Sequence, residues 1–410
     1  SVLRILNAFS KLELMQGRVK FVPDGWQFLH VDKAFKIRNT LRKPISEEER
    51  DKNPGQYPYY GPTKVQGSIG TYEQDGSYAL IGEDGDHFLK FHKQSMTQLV
   101  DGKCTVNNHA HIVEGTSKAS REWFYYYFMH RDIFSFLTRQ GAGRYKLNKA
   151  ALEKLPVLVP SPEEQNKIAQ ILSTWDKAIN VTEQLLANSQ KQKKALMQQL
   201  LTGKKRLAGF HGPWDEIKLN KLFDRVTTKN DEHHTNVVTI SAQQGLIRQD
   251  QFFKKNVASE TLYGYFLLKK GQFAYNKSYS NGYPMGAIKR LNRYEKGVVT
   301  TLYICFEVSD SENCDSDYFE HYFESGLLNK GLSQIAHEGG RAHGLLNVKP
   351  ADFFNLKLEV PAIDEQRKIG TVLSLADDEI KTIERQLSDI KQEKKALMQQ
   401  LLTGKRRVKA

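Results

Sequence analysis

One fourteen-residue phrase is written twice in this chain. Lys193-Lys194-Ala195-Leu196-Met197-Gln198-Gln199-Leu200-Leu201-Thr202-Gly203-Lys204-Lys205-Arg206 returns as Lys394 to Arg407, with only Lys205 changed, to Arg406. The offset is 394 − 193 = 201 residues in a chain of 410. A period of half the chain excludes a solenoid of short repeats and points to a duplicated protein. The register holds upstream without a gap. Pro160 answers Pro361, Glu164-Gln165 answers Glu365-Gln366, Leu172-Ser173 answers Leu373-Ser374, and Asp176 answers Asp377. Further up it slips by two, Leu147-Asn148 pairing with Leu346-Asn347. The starts of the halves echo as well: Phe35 and Phe223 each follow a tryptophan, Trp26 and Trp214. Residues 40–140 and 230–340 share little and read as different inserts in one frame. Leu14-Met15-Gln16-Gly17-Arg18 resembles Leu200 to Lys204, as a cyclic arrangement of repeats would have it.

The repeated segment predicts a long helix. In the second copy Ile369, Ala376, Ile383, Ile390 and Leu397 share one heptad position, and Leu373, Ile380, Leu387, Lys394 and Leu401 the other. The first copy keeps the frame with Ile168, Trp175, Thr182, Ser189, Leu196 and Leu172, Ile179, Leu186, Lys193, Leu200, but is polar in the middle. Sustained 3–4 spacing with charged flanks argues for a coiled coil. Ser161-Pro162-Glu163-Glu164 reads as a capping box, and Gly203 and Gly404 as left-handed stops. A helix of about forty residues is ~60 Å long. Its stripe needs a partner, either another chain or the other copy. The second is favoured, antiparallel, because a folded domain between the copies can lead the chain back. One DNA turn is ~34 Å, so such a pair would space two domains by a turn or more.

The inserts read as strands followed by a helix, which suggests α+β globules. In the first, Tyr78-Ile81, Phe88-Phe91 and His111-Val113 look like strands, and Arg121 to Arg139 like a helix. In the second, Val237-Ile240, Tyr265-Leu268, Gly286-Ile288 and Val298-Phe306 look like strands, and Tyr318 to Ala336 like a helix. A hydrophobic content of 39% supports two cores, and a net charge of +13 suggests an anionic partner, DNA foremost, or simply a solvated basic surface. Cys104, Cys305 and Cys314 show neither metal spacing nor a disulfide framework, which suits a reducing cytoplasm. No apolar run is long enough for a membrane span, and Ser1 to Leu6 lacks the plan of a signal peptide.

Several motifs together resemble the specificity subunit of type I restriction–modification systems. They are the two Leu-Met-Gln-Gln-Leu-Leu-Thr-Gly-Lys helix ends, Pro160 to Ile168 with Pro361 to Ile369, and Tyr57-Pro58-Tyr59-Tyr60-Gly61 with Val106 to His111. In the second insert they are Ile240 to Gln243, Phe273 to Ser278 and Gly344 to Asn347. The resemblance covers nearly the whole chain. It implies an α+β protein with a pseudo-twofold repeat: target recognition domains at 1–155 and 207–355, and antiparallel spacer helices at 156–206 and 356–410. Each domain would read half of a split duplex DNA target. The helices would dock two modification subunits, which carry S-adenosylmethionine and methylate adenine at N6. Restriction subunits would add translocation and cleavage driven by ATP and Mg, in the cytoplasm of a bacterium or archaeon. Alternatives are the specificity subunit of a type II methylase–nuclease, and a coiled-coil scaffold whose globules bind protein.

Catalysis by this chain is not expected. Asn53-Pro54-Gly55-Gln56 and Tyr283-Pro284-Met285-Gly286 do not fit an adenine methyltransferase strip, and no Gly-x-x-x-x-Gly-Lys-Ser/Thr loop exists. His233-His234 and His109-x-His111 have no second ligand set nearby. Phosphates and base edges call for Lys, Arg and small polar side chains on exposed loops. Candidates in the first insert are Tyr59, Tyr60, Lys64, Gln66 and Ser68; Asn107, Asn108, His109 and His111; and Arg144 with Lys146 beside Gly141 and Gly143. In the second they are Asn276, Lys277, Ser278, Tyr279, Ser280 and Tyr283; Lys289, Arg290 and Arg293; and Arg341 with His343. Each could instead make a turn or pack. The basic tails Lys204 to Arg206 and Lys405 to Arg407 could touch phosphate or complement helix C-termini.

Overall fold

The computed structural model describes residues 19, 21–140, 144–253, 262–338 and 346–408. They form two compact units, one holding the chain up to Glu183 and again from Gln386, the other holding Gln184–Arg385.

In the first unit a six-stranded sheet runs Lys36–Ile37, Ala110–Glu114, Gln74–Gly82, Thr97–Val106, Tyr57–Tyr60, Val65–Ile69. Its neighbours are antiparallel except Tyr57–Tyr60, which lies parallel to Thr97–Val106. Ala79, Leu80 and Ile81 are buried in succession because both sheet faces are covered there. Helix Arg121–Phe128 packs on one face, starting where the Ser120 hydroxyl accepts the Trp123 N–H. It buries Trp123, Phe124, Tyr126, Tyr127 and Phe128. Each such side chain contributes on the order of 2 kcal/mol of transfer free energy. The same core takes in Trp26, Phe35, Ile168, Leu172, Met398, Leu401 and Leu402.

The second unit repeats that plan with different residues. Its antiparallel sheet runs Phe223–Val226, Ile304–Val308, Phe273–Asn276, Ala287–Arg290, the chain order of the first four strands above. Helix Ser316–Glu324 covers it, capped by Asp315. Phe223, Phe273, Phe306, Phe319 and Phe323 pack with Met197, Leu200, Leu201, Ile369 and Leu373. In both units a short helix (Lys149–Glu153, Pro350–Phe354) leads to a strand (Pro156–Val159, Lys357–Val360). That strand pairs antiparallel with the unit's opening strand, Gln27–His30 or Asp215–Lys218.

The long helices are Pro162–Leu200 and Ile363–Leu401, each 39 residues. They stop at Gly203 and Gly404, at φ 67° and 68°. They run antiparallel within the one chain. In the first unit Lys394 pairs with Asp176 and Lys391 with Glu183; in the second Lys193 pairs with Asp377 and Ser189 with Glu379. Every expected heptad position, the polar ones included, is buried or half-buried. The stripe lysines are therefore partners of Asp176 and Asp377, two more residues related by the 201-residue offset.

The repeated Glu-Gln pair is a joint. Gln165 accepts the Ser120 N–H and donates to the Lys118 and Pro160 carbonyls. Gln366 accepts the Asp315 N–H and donates to the Asn313 and Pro361 carbonyls. Each glutamine thus bolts the start of a globule helix to a long helix. Glu164 takes both prongs of Arg407 at 2.8 Å, and Glu365 both prongs of Arg206 at 2.6 Å. These arginines do neither thing expected of the basic tails. They fork onto the start of the opposite helix.

Other expectations are corrected. Ser161 does accept the Glu164 N–H, but the Glu164 carboxylate turns to Arg407 and the Trp26 indole, so only half the capping box forms. Asp86–Lys90 is a 3₁₀ helix where a strand was expected. The helix from Arg121 ends at Phe128, and Tyr318 to Ala336 is divided at Gly326, at φ 77°. Val298 to Phe306 is two strands joined by a turn at Thr300–Tyr303. Leu14 to Arg18 lies outside the described residues. Among the described residues no helix is long and apolar enough to cross a membrane.

Candidate nucleic-acid interface

In the first unit the three candidate segments form one continuous surface. The hairpin Tyr57–Tyr60/Val65–Ile69 leaves Lys64, Gln66 and Ser68 exposed. Its alternation sends Tyr59 inward to 2% exposure, where its hydroxyl accepts the Ile45 N–H, so Tyr59 is a core residue and not a DNA contact. Tyr60 is half-buried, and burial raises its pKa. Asn107 is buried and joins the first segment to the second. Its amide donates to Gln66 Oε1 at 3.0 Å and its Oδ1 accepts the His109 N–H. That leaves Asn108 and His109 exposed at the turn. His111 is fully buried between the Leu147 carbonyl at 2.7 Å and Asn39 Nδ2 at 2.8 Å; burial lowers its pKa and makes it structural.

The third segment is the hairpin Thr138–Gln140/Arg144–Lys146, with Arg144 exposed. Glu83 stitches it to the turn at Asn108. The Glu83 N–H donates to the His109 carbonyl at 2.8 Å, and its carbonyl accepts the Leu147 N–H at 2.7 Å. Its carboxylate takes Arg42 on one oxygen and Lys146 Nζ at 3.1 Å on the other. Arg42 also donates to the Asn108 carbonyl at 3.0 Å. Burial alone would push the Glu83 carboxyl up; Arg42, His111 and Lys146 outweigh it and hold the group below its ordinary value. Asp84 meets His109 Nδ1 at 2.8 Å. Arg42, Glu83 and Asp84 were not legible as site residues, because their partners lie tens of residues away in sequence.

In the second unit the loop between Phe273–Asn276 and Ala287–Arg290 carries the candidates. It closes in a tight turn at Ser280–Tyr283, with Gly282 at φ 84° and Tyr279 64% exposed. Asn276, Lys277, Ser278 and Ser280 are half-buried, Asn276 accepting the Ser278 N–H. Burial lowers the Lys277 pKa. Tyr283, Lys289 and Arg290 are instead committed inside the unit. Tyr283 and Lys289 converge on Glu324. Arg290 donates to Ser316 at 2.8 Å and to Asp317 at 2.6 Å, and pairs with Glu320. They fasten the sheet to helix Ser316–Glu324, so their polar groups are engaged within the unit. Arg293 is exposed. Arg341, His343 and the candidate loop around them lie outside the described residues, as do Gly141 and Gly143.

The two loops share a backbone joint. The Lys277 carbonyl accepts the Leu346 N–H at 3.0 Å, as the Glu83 carbonyl accepts that of Leu147. Both acceptors follow the matching sheet strand, Gln74–Gly82 or Phe273–Asn276. Among the described residues no group of three or more His, Cys, Asp or Glu could hold a metal ion.

Residues 23–188 match the family described as type I restriction modification DNA specificity domain. A Haemophilus influenzae protein bearing the name "Putative type I restriction enzyme specificity subunit S.HindORF215P" is 34% identical over 142 residues, a match covering 35% of this chain and 35% of that protein. The type I restriction enzyme MjaVIII specificity subunit of Methanocaldococcus jannaschii is 21% identical over 95% of this chain and 94% of its own length. The fold is that of the type I restriction–modification S subunit from M. genitalium, at TM-score 0.61 and 15% identity over 93% of this chain and 96% of that one.

Proposed function

We propose that this chain is a specificity subunit of a type I restriction–modification system and reads a split DNA target with one half-site assigned to each globular unit. The observation that carries the reading is one repeated frame presenting two unlike polar surfaces. Lys64, Gln66, Ser68, Asn108, His109, Arg144 and Lys146 would face one half-site. Lys277, Ser278, Tyr279, Ser280 and Arg293 would face the other. Lysine and arginine suit phosphate, while asparagine, glutamine and arginine suit base edges in the major groove.

Methyl transfer and cleavage are assigned to partner subunits. The repeated phrase supports a partner that binds twice. Lys194 and Lys395, Gln198 and Gln399, Met197 and Met398 line matching grooves, one in each unit, of about 750 and 520 Å³. Identical side chains at two places fit two copies of one modification subunit, which would bring S-adenosylmethionine. Restriction subunits, with ATP and Mg, would join that complex. The long antiparallel helices would set the gap between half-sites.

The reading is tested by titrating duplex DNA into the chain alone and into the chain with its modification subunits, at several salt concentrations. We expect tight binding by the complex, with log affinity falling linearly with log salt as counterions are released. Lys277→Ala should weaken that binding, by ~1–3 kcal/mol if the residue touches a base. Salt-independent or absent DNA binding by a well-formed complex would favour globules that bind protein.

A further inference from the structure

We infer that Glu83 is a positioning residue for sequence reading in the first unit, holding the Asn107–His109 turn and the strand pair Thr138–Gln140/Arg144–Lys146 in a single register. This rests on the DNA-reading function proposed above. The residue makes four contacts, two within these segments and two with residues that adjoin or reach them. Its N–H and carbonyl bond to His109 and Leu147, and its carboxylate bonds to Arg42 and Lys146. Through Arg42 the same carboxylate reaches the Asn108 carbonyl, the backbone of an exposed candidate. The group is well shielded, its side chain 13% exposed and that of Arg42 20%. Hydrogen bonds at such a site are strengthened by the lower local dielectric.

The second unit separates this role from a purely structural one. Its frame makes the same carbonyl joint, from Leu346 to the residue after the matching strand, and that residue is Lys277. The joint therefore needs only backbone. A carboxylate is not part of the repeated frame, and at equivalent places the two units carry opposite charges. What the Glu83 side chain adds is the fixed placement of Arg42 and Lys146 beside Asn108, His109 and Arg144. Base reading depends on side chains held to within a fraction of an ångström, so this placement bears on discrimination more than on overall affinity.

The test uses the full chain assembled with its modification subunits, methylating a library of randomised duplexes. For Glu83→Gln we expect discrimination to fall roughly tenfold at one or two positions of a single half-site, the order of one lost base contact. The other half-site should be unchanged. Glu83→Asp, which keeps the charge, should restore part of the preference. If Glu83→Gln fails to fold, Arg42→Lys should give the same local relaxation, because it shortens the reach to the Asn108 carbonyl. An unchanged motif, or a uniform loss at all positions, overturns the proposal. A wild-type complex that shows no two-part motif overturns the underlying function itself, and so is told apart.

Discussion

Lys289 and Arg290 carry the charge a phosphate attracts, yet both are tied to the helix Ser316–Glu324. Arg144 and Lys64 carry the same charge and are exposed. Residue type alone cannot separate these cases, because the acids that occupy Lys289 and Arg290 are supplied by a distant helix. Tyr59 was lost for a simpler reason: a one-residue step along a strand exchanges inside for outside. Buried histidines give a residue-scale prediction. Burial lowers the pKa of His87 to about 4, and burial with the nearby Lys193 lowers that of His321 to about 4, from 6.5. Both are neutral when folded and protonate more readily once unfolded. The unfolded chain therefore binds more protons between those values. Stability is complete above pH 6.5 and declines as pH falls toward 4, by roughly 2 kcal/mol per histidine at pH 5 and roughly 3 kcal/mol at pH 4. Urea denaturation at pH 7 and pH 5 should show this slope, and His321→Asn should flatten it. A profile unaffected by that change would contradict the assignment.

Among the elements, the long helices were the most legible. Their stripe, antiparallel pairing and glycine stops follow from periodicity and end signals that need no tertiary knowledge. Leu172 and Leu373 are fully buried, so truncation to alanine should cost each unit about 3 kcal/mol. Leu186→Ala and Leu387→Ala, at half-buried positions, should cost about 1 kcal/mol. Chemical denaturation of the four variants checks the order, and equal losses would contradict the burial pattern. The globule elements were less legible. Helix Arg121–Phe128 stops early, and just beyond it the Asp132 carboxylate takes the Phe134 N–H, a local bond that competes with helix. The Glu164 side chain left its capping box for Arg407, a residue 243 positions away.

At the scale of the whole molecule, duplication was visible in the sequence because the residues that make the joints between helix and globule are repeated: Glu164-Gln165 with Arg407, and Glu365-Gln366 with Arg206. The two candidate DNA-facing surfaces were not, because they share a frame and no residues. The C-terminal segment has a structural duty that its position conceals: Met398, Leu401, Leu402 and Arg407 complete the first unit's core and its Glu164 joint. A chain ending at Glu393 should lose amide-exchange protection in residues 21–140 while Phe223–Val360 stays protected; equal loss in both would contradict the division into units. The central claim is two-part reading of DNA. It is tested most directly by co-expressing the chain with its modification subunit and mapping N6-methyladenine at single-base resolution. We predict a single motif with two short half-sites and an unspecified gap near one helical turn. A contiguous motif, or no motif despite a stable complex, would contradict it.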